Sequence, residues 1–225
     1  MALILNIDTS EEIASICLSK NVDQLALLEN DQQKDHASWL HVAINEMLET
    51  EGLEMKNLDA ISVIDGPGSY TGLRVGMSAA KGFCYALQIP LITESSLRTM
   101  AFAAAKLFKN DESVLLCPMI DARRMEVFLS IYKMDLSEIM PAAAMILDEN
   151  SFSAELASKK VYFFGSGSAK WKKLTEHQNA FFADVRYNSG DLAILAYQKF
   201  ELRKFTDIIY SQPAYIKDFH TYIKK

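Results

Sequence analysis

The sequence predicts an α/β protein built from two related lobes, and three observations carry that expectation. First, Asn6-Ile7-Asp8-Thr9-Ser10 followed by Ile13–Ser19 is matched by Met119-Ile120-Asp121-Ala122-Arg123 followed by Val127–Tyr132. Each is an apolar strand closing on an aspartate, a short polar turn and an alternating strand coming back. Second, Ser62-Val63-Ile64-Asp65-Gly66-Pro67-Gly68-Ser69 is echoed by Tyr162-Phe163-Phe164-Gly165-Ser166-Gly167-Ser168, each a strand feeding a glycine-serine turn and a helix. Third, both halves mix hairpin patterns with strand–helix units, as layered α/β lobes do. The polar Asn110-Asp111-Glu112 separates a first lobe, residues 1–110, from a smaller second one, 111–225. The terminal stretch, from about residue 205 to 225, is expected to pack back on the first lobe. A chain of 225 residues suffices for two compact units of about 100 residues each.

The elements follow in order. Ala2–Ile7 is an apolar run that reads as a first strand, Asp8-Thr9-Ser10-Glu11-Glu12 as a polar turn, and Ile13–Leu18 as the returning strand. Leu25–Leu28 makes a third strand. His36–Glu51 is a helix, because Leu40, Ile44, Met47 and Leu48 recur at helical spacing between an N-cap candidate, Asp35, and a C-cap candidate, Gly52. Trp39, Val42 and Ala43 widen its apolar stripe beyond one packing face. Ala60–Ile64 is the next strand, Thr71–Leu87 a helix, Leu91–Thr93 a short strand after Pro90, and Ser96–Phe108 a third helix. Gly190–Leu202 carries Leu192, Ile194, Leu195 and Ala196 at positions that suit a late helix, and Pro213-Ala214-Tyr215-Ile216-Lys217 reads as an extended closing segment. Residues 135–205 match no motif.

Composition narrows the function. A net charge of −6 disfavours a dedicated nucleic-acid binder. The charge is uneven: residues 1–154 hold 11 Lys/Arg against 22 Asp/Glu, and residues 155–225 hold 12 against 7. Lys159-Lys160 and Lys170, Lys172 and Lys173 are the basic clusters, which form either a solvated helix face or a polyanion surface. No run approaches the ~18 apolar residues of a membrane span. The opening Ala2–Leu5 run, broken by Asn6 and Asp8 and without a basic leader, is a strand rather than a signal peptide. Cys17, Cys84 and Cys117 are odd in number, dispersed and set among apolar residues. They fit reduced core thiols of a cytoplasmic protein.

The most distinctive stretch is Asp65–Gly76, where a buried strand enters a glycine turn (Gly66, Pro67, Gly68, Ser69, Tyr70, Thr71) and then a helix. Such a turn can cradle an anion at the helix N-terminus, make a tight corner, or let another backbone come close. Its spacing matches neither the dinucleotide fingerprint nor the P-loop. The helix is apolar nearly all round, through Leu73, Val75, Met77, Phe83, Tyr85 and Leu87, and carries Gly72, Gly76 and Ala80 four apart with Ala79 and Gly82 nearby. Small residues so spaced allow close approach of a second helix, and a helix apolar on every face needs cover on every face. Two arrangements satisfy this. Either the helices are wholly buried in the first lobe, or Leu40, Ile44, Met47, Gly72, Leu73, Arg74, Gly76, Met77 and Ala80 meet the same helix pair of a partner as a four-helix bundle. Arg74 would then bridge subunits or hold an anion at the helix mouth; otherwise it pairs locally with Asp65.

A duplicated lobe with an aspartate after its first strand resembles the plan of the actin, Hsp70 and sugar-kinase superfamily, whose lobes are ribonuclease H-like. Within it, Ile7-Asp8-Thr9-Ser10, the Gly66–Gly76 string, Ser95-Ser96-Leu97, Ile120-Asp121-Ala122-Arg123 with Glu126-Val127, and Pro213-Ala214-Tyr215 resemble the TsaB (YeaZ) family. The resemblance spans residue 3 to about 132, with a weaker match at 210–217. It implies a non-catalytic subunit, without cofactor or metal of its own, required for N6-threonylcarbamoylation of adenosine 37 in tRNAs that read ANN codons. It further implies pairing with the transferase TsaD through the first-lobe helices, and a homodimer through the same patch when alone. TsaE would join the assembly, and any tRNA contact would be indirect. A glycoprotease-like metallopeptidase and a small sugar kinase or ATPase are the alternatives within the superfamily.

Residue chemistry weighs against both alternatives. TsaD-like relatives place two histidines four apart on one helix, so that both reach one ion. The corresponding Ile92–Met100 holds none. His36 and His41 are five apart, about 140° around a helix, and His177 and His220 are distant. A phosphoryl-transfer member needs glycine-bearing turns after both aspartates. Asp8 is followed by Thr9-Ser10-Glu11-Glu12 and Asp121 by Ala122-Arg123-Arg124, with no glycine in either and two glutamates that repel a triphosphate. Asp8, Asp121 and Arg123 are therefore expected to stabilise turns. Ser69 and Ser96 have no histidine nearby in sequence to form a nucleophile–base pair.

Overall fold

The computed structural model describes residues 1–32, 35–109 and 111–216. The first half runs β1 (Leu3–Asp8), β2 (Ala14–Lys20), β3 (Asp23–Asn30), α1 (His36–Thr50), β4 (Ala60–Gly66), α2 (Tyr70–Leu87), β5 (Leu91–Ser95) and α3 (Ser96–Leu107). The second half repeats that order as β6 (Leu115–Asp121), β7 (Glu126–Tyr132), β8 (Glu138–Ile146), α4 (Ser153–Leu156), β9 (Val161–Phe164), α5 (Ser168–Lys172), β10 (Ala180–Phe182) and α6 (Ser189–Glu201). Each half forms a five-stranded mixed sheet, ordered β3-β2-β1-β4-β5 and β10-β9-β6-β7-β8, the same sequence of strands read from opposite ends. In each, the opening strand pairs antiparallel with its hairpin partner and parallel with the strand that enters the glycine turn. This is the duplicated actin/Hsp70-like α/β plan that the internal repeat predicts.

The strongly patterned elements form where their periodicity places them. Gly52, just past α1, takes a left-handed φ of +65°, and its amide and that of Leu53 close the last turn on the Glu49 and Leu48 carbonyls. Asp35 precedes α1, but its side chain makes no capping hydrogen bond. β8, α4 and β10 escape the pattern. β8 carries Pro141 and three alanines on an edge, where a proline is tolerated and alternation is weak. The other two are 4 and 3 residues long, too short to show a period. Asn110 and Lys217 lie outside the described residues.

The closing helix of each half lies on the other half's sheet. One face of the first sheet packs Leu5, Ile7, Ile16, Leu18 and Val63 against Leu40, Ile44 and Met47 of α1 and Met77, Ala80 and Cys84 of α2. The opposite face, carrying Ile4, Ala60 and Ile92, is covered by Ala196, Tyr197 and Phe200 of α6. Reciprocally, Leu97, Met100, Ala101 and Ala104 of α3 pack on Leu116, Ile120 and Phe164 of the second sheet. Buried Glu94 of β5 pairs with Arg98 of α3 at 3.0 Å and Lys199 of α6 at 3.1 Å. The chain beyond α6 stays on the first sheet. Thr206 bridges to Leu91, Lys81 donates to the Ser211 carbonyl at 2.8 Å, and the Ala214 amide donates to the Asp65 carbonyl at 2.7 Å.

Exchange of closing helices predicts that the lobes unfold together. Trp39 stands on α1 and Trp171 on α5, so urea unfolding followed in the single-tryptophan variants Trp171→Phe and Trp39→Phe reports each lobe separately. Coincident midpoints are expected, and Leu192→Ala, at a fully buried α6 position, lowers both by the same amount, about 3 kcal/mol. Separated midpoints refute the coupling.

Candidate functional site

The glycine turn is a backbone-packing device. A Cβ at Gly68 would collide with the Ser10 carbonyl oxygen, one at Gly72 with the Thr9 carbonyl oxygen, and one at Gly76 would lie 2.5 Å from Thr9 Oγ1. Into the space these glycines leave, the β1–β2 turn folds down on the first turns of α2. The Ser69 amide donates to the Ser10 carbonyl at 2.6 Å, and the Thr9 hydroxyl donates to the Gly72 carbonyl at 2.7 Å. Ser69 Oγ caps α2 by accepting from the Gly72 amide at 3.3 Å. The Ser96 hydroxyl donates to the Pro67 carbonyl at 2.5 Å, while Ala214 lies against Gly66. Of the three roles open to this turn, close approach of another backbone is the one realised. It also draws four distant motifs, around residues 8, 68, 96 and 214, onto one junction.

A cleft of about 1780 Å³ separates the lobes beside this junction. Of its lining aspartates, Asp8 and Asp121 serve equivalent turns. Asp8 accepts from the Ser10 amide at 2.9 Å and the Ser10 hydroxyl at 2.6 Å; burial raises its carboxyl pKa against those bonds. Asp121 accepts from the Arg123 amide at 2.6 Å and from Lys170 Nζ at 2.7 Å. Burial opposes its ionisation, but Lys170 and the Arg123 amide outweigh burial and hold the carboxyl below its ordinary value. Glu11 reaches across to Ser166 of the second lobe, and burial, with Asp8, Glu12 and Asp121 adding repulsion, pushes its carboxyl up to about 7. Asp8, Asp121 and Arg123 therefore hold turns, in keeping with their sequence context.

Metal ligation has no basis in these side chains. Among the described residues no three His, Cys, Asp or Glu side chains converge as a metal site. In the Ile92–Met100 stretch, which holds no histidine, Ser95 caps α3 by accepting from the Arg98 amide. His36 is buried with Nε2 3.4 Å from the Glu11 carbonyl, and His41 packs edge-on against Phe83.

The TsaD family model, described as tRNA N6-adenosine threonylcarbamoyltransferase, matches residues 29–218. The tRNA threonylcarbamoyladenosine biosynthesis protein TsaB of Bacillus subtilis (strain 168) is 30% identical over 176 residues, 77% of this chain and 75% of that protein. The chain belongs to the TsaB family, within the reach of the TsaD model. TsaB of Haemophilus influenzae is 28% identical over 98% of this chain and 96% of its own length. The solved structure of YeaZ from Pseudomonas aeruginosa shares the fold, with a TM-score of 0.75 at 23% identity over 96% of this chain and 100% of that one.

In this TsaB-family chain the residues expected to face a partner are turned inward. Leu40, Ile44, Met47, Gly72, Leu73, Gly76, Met77 and Ala80 are all buried in the chain itself. The glycine stripe brings α2 onto its own sheet, not onto a foreign helix. Only Arg74 of that set is exposed, and among the described residues it forms no ion pair with Asp65 or another carboxylate. Its guanidinium stacks on the Tyr70 ring at 3.9 Å and its Nε donates to the Tyr215 hydroxyl at 3.1 Å. The outward face of the same helices is a separate groove of about 380 Å³, lined by Ala37, His41, Val75, Ser78, Ala79, Gly82 and Phe83. Periodicity flags Val75, Ala79, Gly82 and Phe83 among them as apolar or small positions, but it does not say which of two opposed stripes faces the sheet.

Two measurements test this geometry. Gly72→Ala is expected to destabilise the protein by about 3 kcal/mol, with wild-type stability refuting the tight Thr9 contact. For Glu11, a folded pKa of about 7 above an ordinary 4.5 means the native state holds the proton longer. Stability then falls as pH rises from 4.5 to about 7 and levels off above it. Glu11→Gln should flatten this part of the profile and raise the melting temperature at pH 8 but not at pH 4; an unchanged profile refutes the shift.

Proposed function

We propose that this chain is a non-catalytic subunit of the machinery that makes tRNA N6-threonylcarbamoyladenosine, and that it pairs with a TsaD-type transferase through the outward face of α1 and α2. Family membership supports the pathway, since the TsaB relatives carry it in their names. One residue supports the surface. Gly82 sits inside α2 where a Cβ would meet nothing within 4 Å. A glycine there costs the helix about 1 kcal/mol relative to alanine, and no contact among the described residues requires it. Beside Ser78 and Ala79, it leaves room for a helix from outside, flanked by Val42 at 57% and Tyr85 at 73% exposure.

The chain contributes a surface rather than a reacting group. Its two aspartates are committed to turns, its glycine turn to backbone packing, and the TsaD-type histidine positions are filled by other residues. Alone, the chain uses the same face to form a homodimer. With TsaD bound, the assembly receives TsaE and works on tRNA in the cytoplasm.

Light scattering coupled to size exclusion tests this on the chain mixed with TsaD from the same cell. A one-to-one complex is expected. Gly82→Arg, whose Cβ meets no neighbouring atom within 4 Å, should weaken that complex at least tenfold with an unchanged melting temperature. Gly82→Ala should raise the melting temperature of the isolated chain. Pairing of Gly82→Arg at wild-type strength would refute the surface.

A further inference from the structure

We propose that the second-lobe wall of the interlobe cleft binds the backbone of single-stranded RNA. Arg123, Lys172 and Arg186 line that wall. Among the described residues none of the three forms an ion pair, whereas neighbouring Lys170 is consumed by Asp121 and the Glu126 carbonyl. Asp184 of the wall and Glu11, which reaches to Ser166 from the first lobe, are the lining carboxylates there outside such a pair, so three cations face two acids in a chain whose net charge is −6.

The β6–β7 turn strengthens the case. Arg123 and Arg124 stand there side by side with φ of +70° and +49°, a conformation that disfavours residues other than glycine, asparagine and aspartate. Both are exposed. The turn therefore retains two cations at positions where the backbone favours a small residue.

The facing wall supplies the complement. Tyr70 and Tyr215 border the same cleft, with ring centroids 5.3 Å apart; Arg74 lies over one face of the Tyr70 ring at 3.9 Å, and the two residues are 39% and 36% exposed. Asp8, Glu12 and Glu29 line this first-lobe side and repel phosphate from it. A strand entering the cleft is thus given one orientation, with phosphates toward Arg123, Lys172 and Arg186 and bases toward the tyrosines. Cations on one wall and aromatic faces on the other are how single strands are held without base-specific hydrogen bonds. The choice of RNA among polyanions rests on the function proposed above.

The test titrates the isolated full chain into a fluorescein-labelled single-stranded RNA of about 15 nucleotides, followed by anisotropy over a salt series. The triple variant Arg123→Gln/Lys172→Gln/Arg186→Gln should bind at least tenfold more weakly. Its slope of log affinity on log salt should be shallower by about 2, as expected for three lost phosphate contacts. Lys159→Gln/Lys160→Gln, at the other end of β9, should bind like wild type. Tyr70→Leu should weaken RNA binding while leaving heparin binding unchanged. The proposal is overturned if wild type fails to bind at low salt, if the triple variant keeps the wild-type slope, or if the Lys159/Lys160 variant loses as much. Equal loss of RNA and heparin in Tyr70→Leu overturns it as well. Failure to pair with TsaD would sink the proposed function instead, and leaves the RNA titration of the isolated chain readable.

Discussion

Two peptide backbones meet where the β1–β2 turn lies on the first turns of α2, and most of the molecule's properties trace to that contact. Side chains hold helices about 8–10 Å from what they pack on; here Gly68, Gly72 and Gly76 remove them, and Thr9 and Ser10 descend into the space. The Ser69 amide, which a helix N-terminus would otherwise offer to an anion, donates to the Ser10 carbonyl. One contact thus orients α2, seats the turn that follows Asp8, and withdraws a phosphate-binding donor.

The same contact decides which face of α2 looks outward. With the glycine stripe pinned to the sheet, Val75, Ser78, Gly82 and Phe83 are left on the far side next to α1. A second set of small residues, unnecessary to the fold, is what distinguishes this face from an ordinary solvated one. The exchanged helices α3 and α6 then make the two lobes a single mechanical unit.

Much of this was legible before any coordinates. The repeated strand–aspartate–turn–strand unit revealed the duplication, because period-2 patterning and turn chemistry are local properties. The turn roles of Asp8 and Asp121 were legible too, from the polar residues that follow each of them. The surface assignment failed at Leu40, Ile44, Met47, Leu73, Met77 and Ala80, which proved to be core. A helix with apolar residues all round carries no sequence signal for which side is the inner one. Arg74 was legible as an exposed cation, but its partners, Tyr70 and Tyr215, include one 141 positions away.

The amino-acid sequence by itself determined the two-lobe α/β plan and the places of the strongly periodic elements, since these follow from local pattern and short-range turn geometry; the family followed from the resemblance of its motifs. Tertiary structure alone decided three further things. It turned the glycine stripe toward Thr9, sent α6 back across the first sheet, and gathered Arg123, Lys172 and Arg186 on one wall. Each depends on which distant surfaces come into contact, and packing between segments a hundred residues apart leaves no periodic trace in either one.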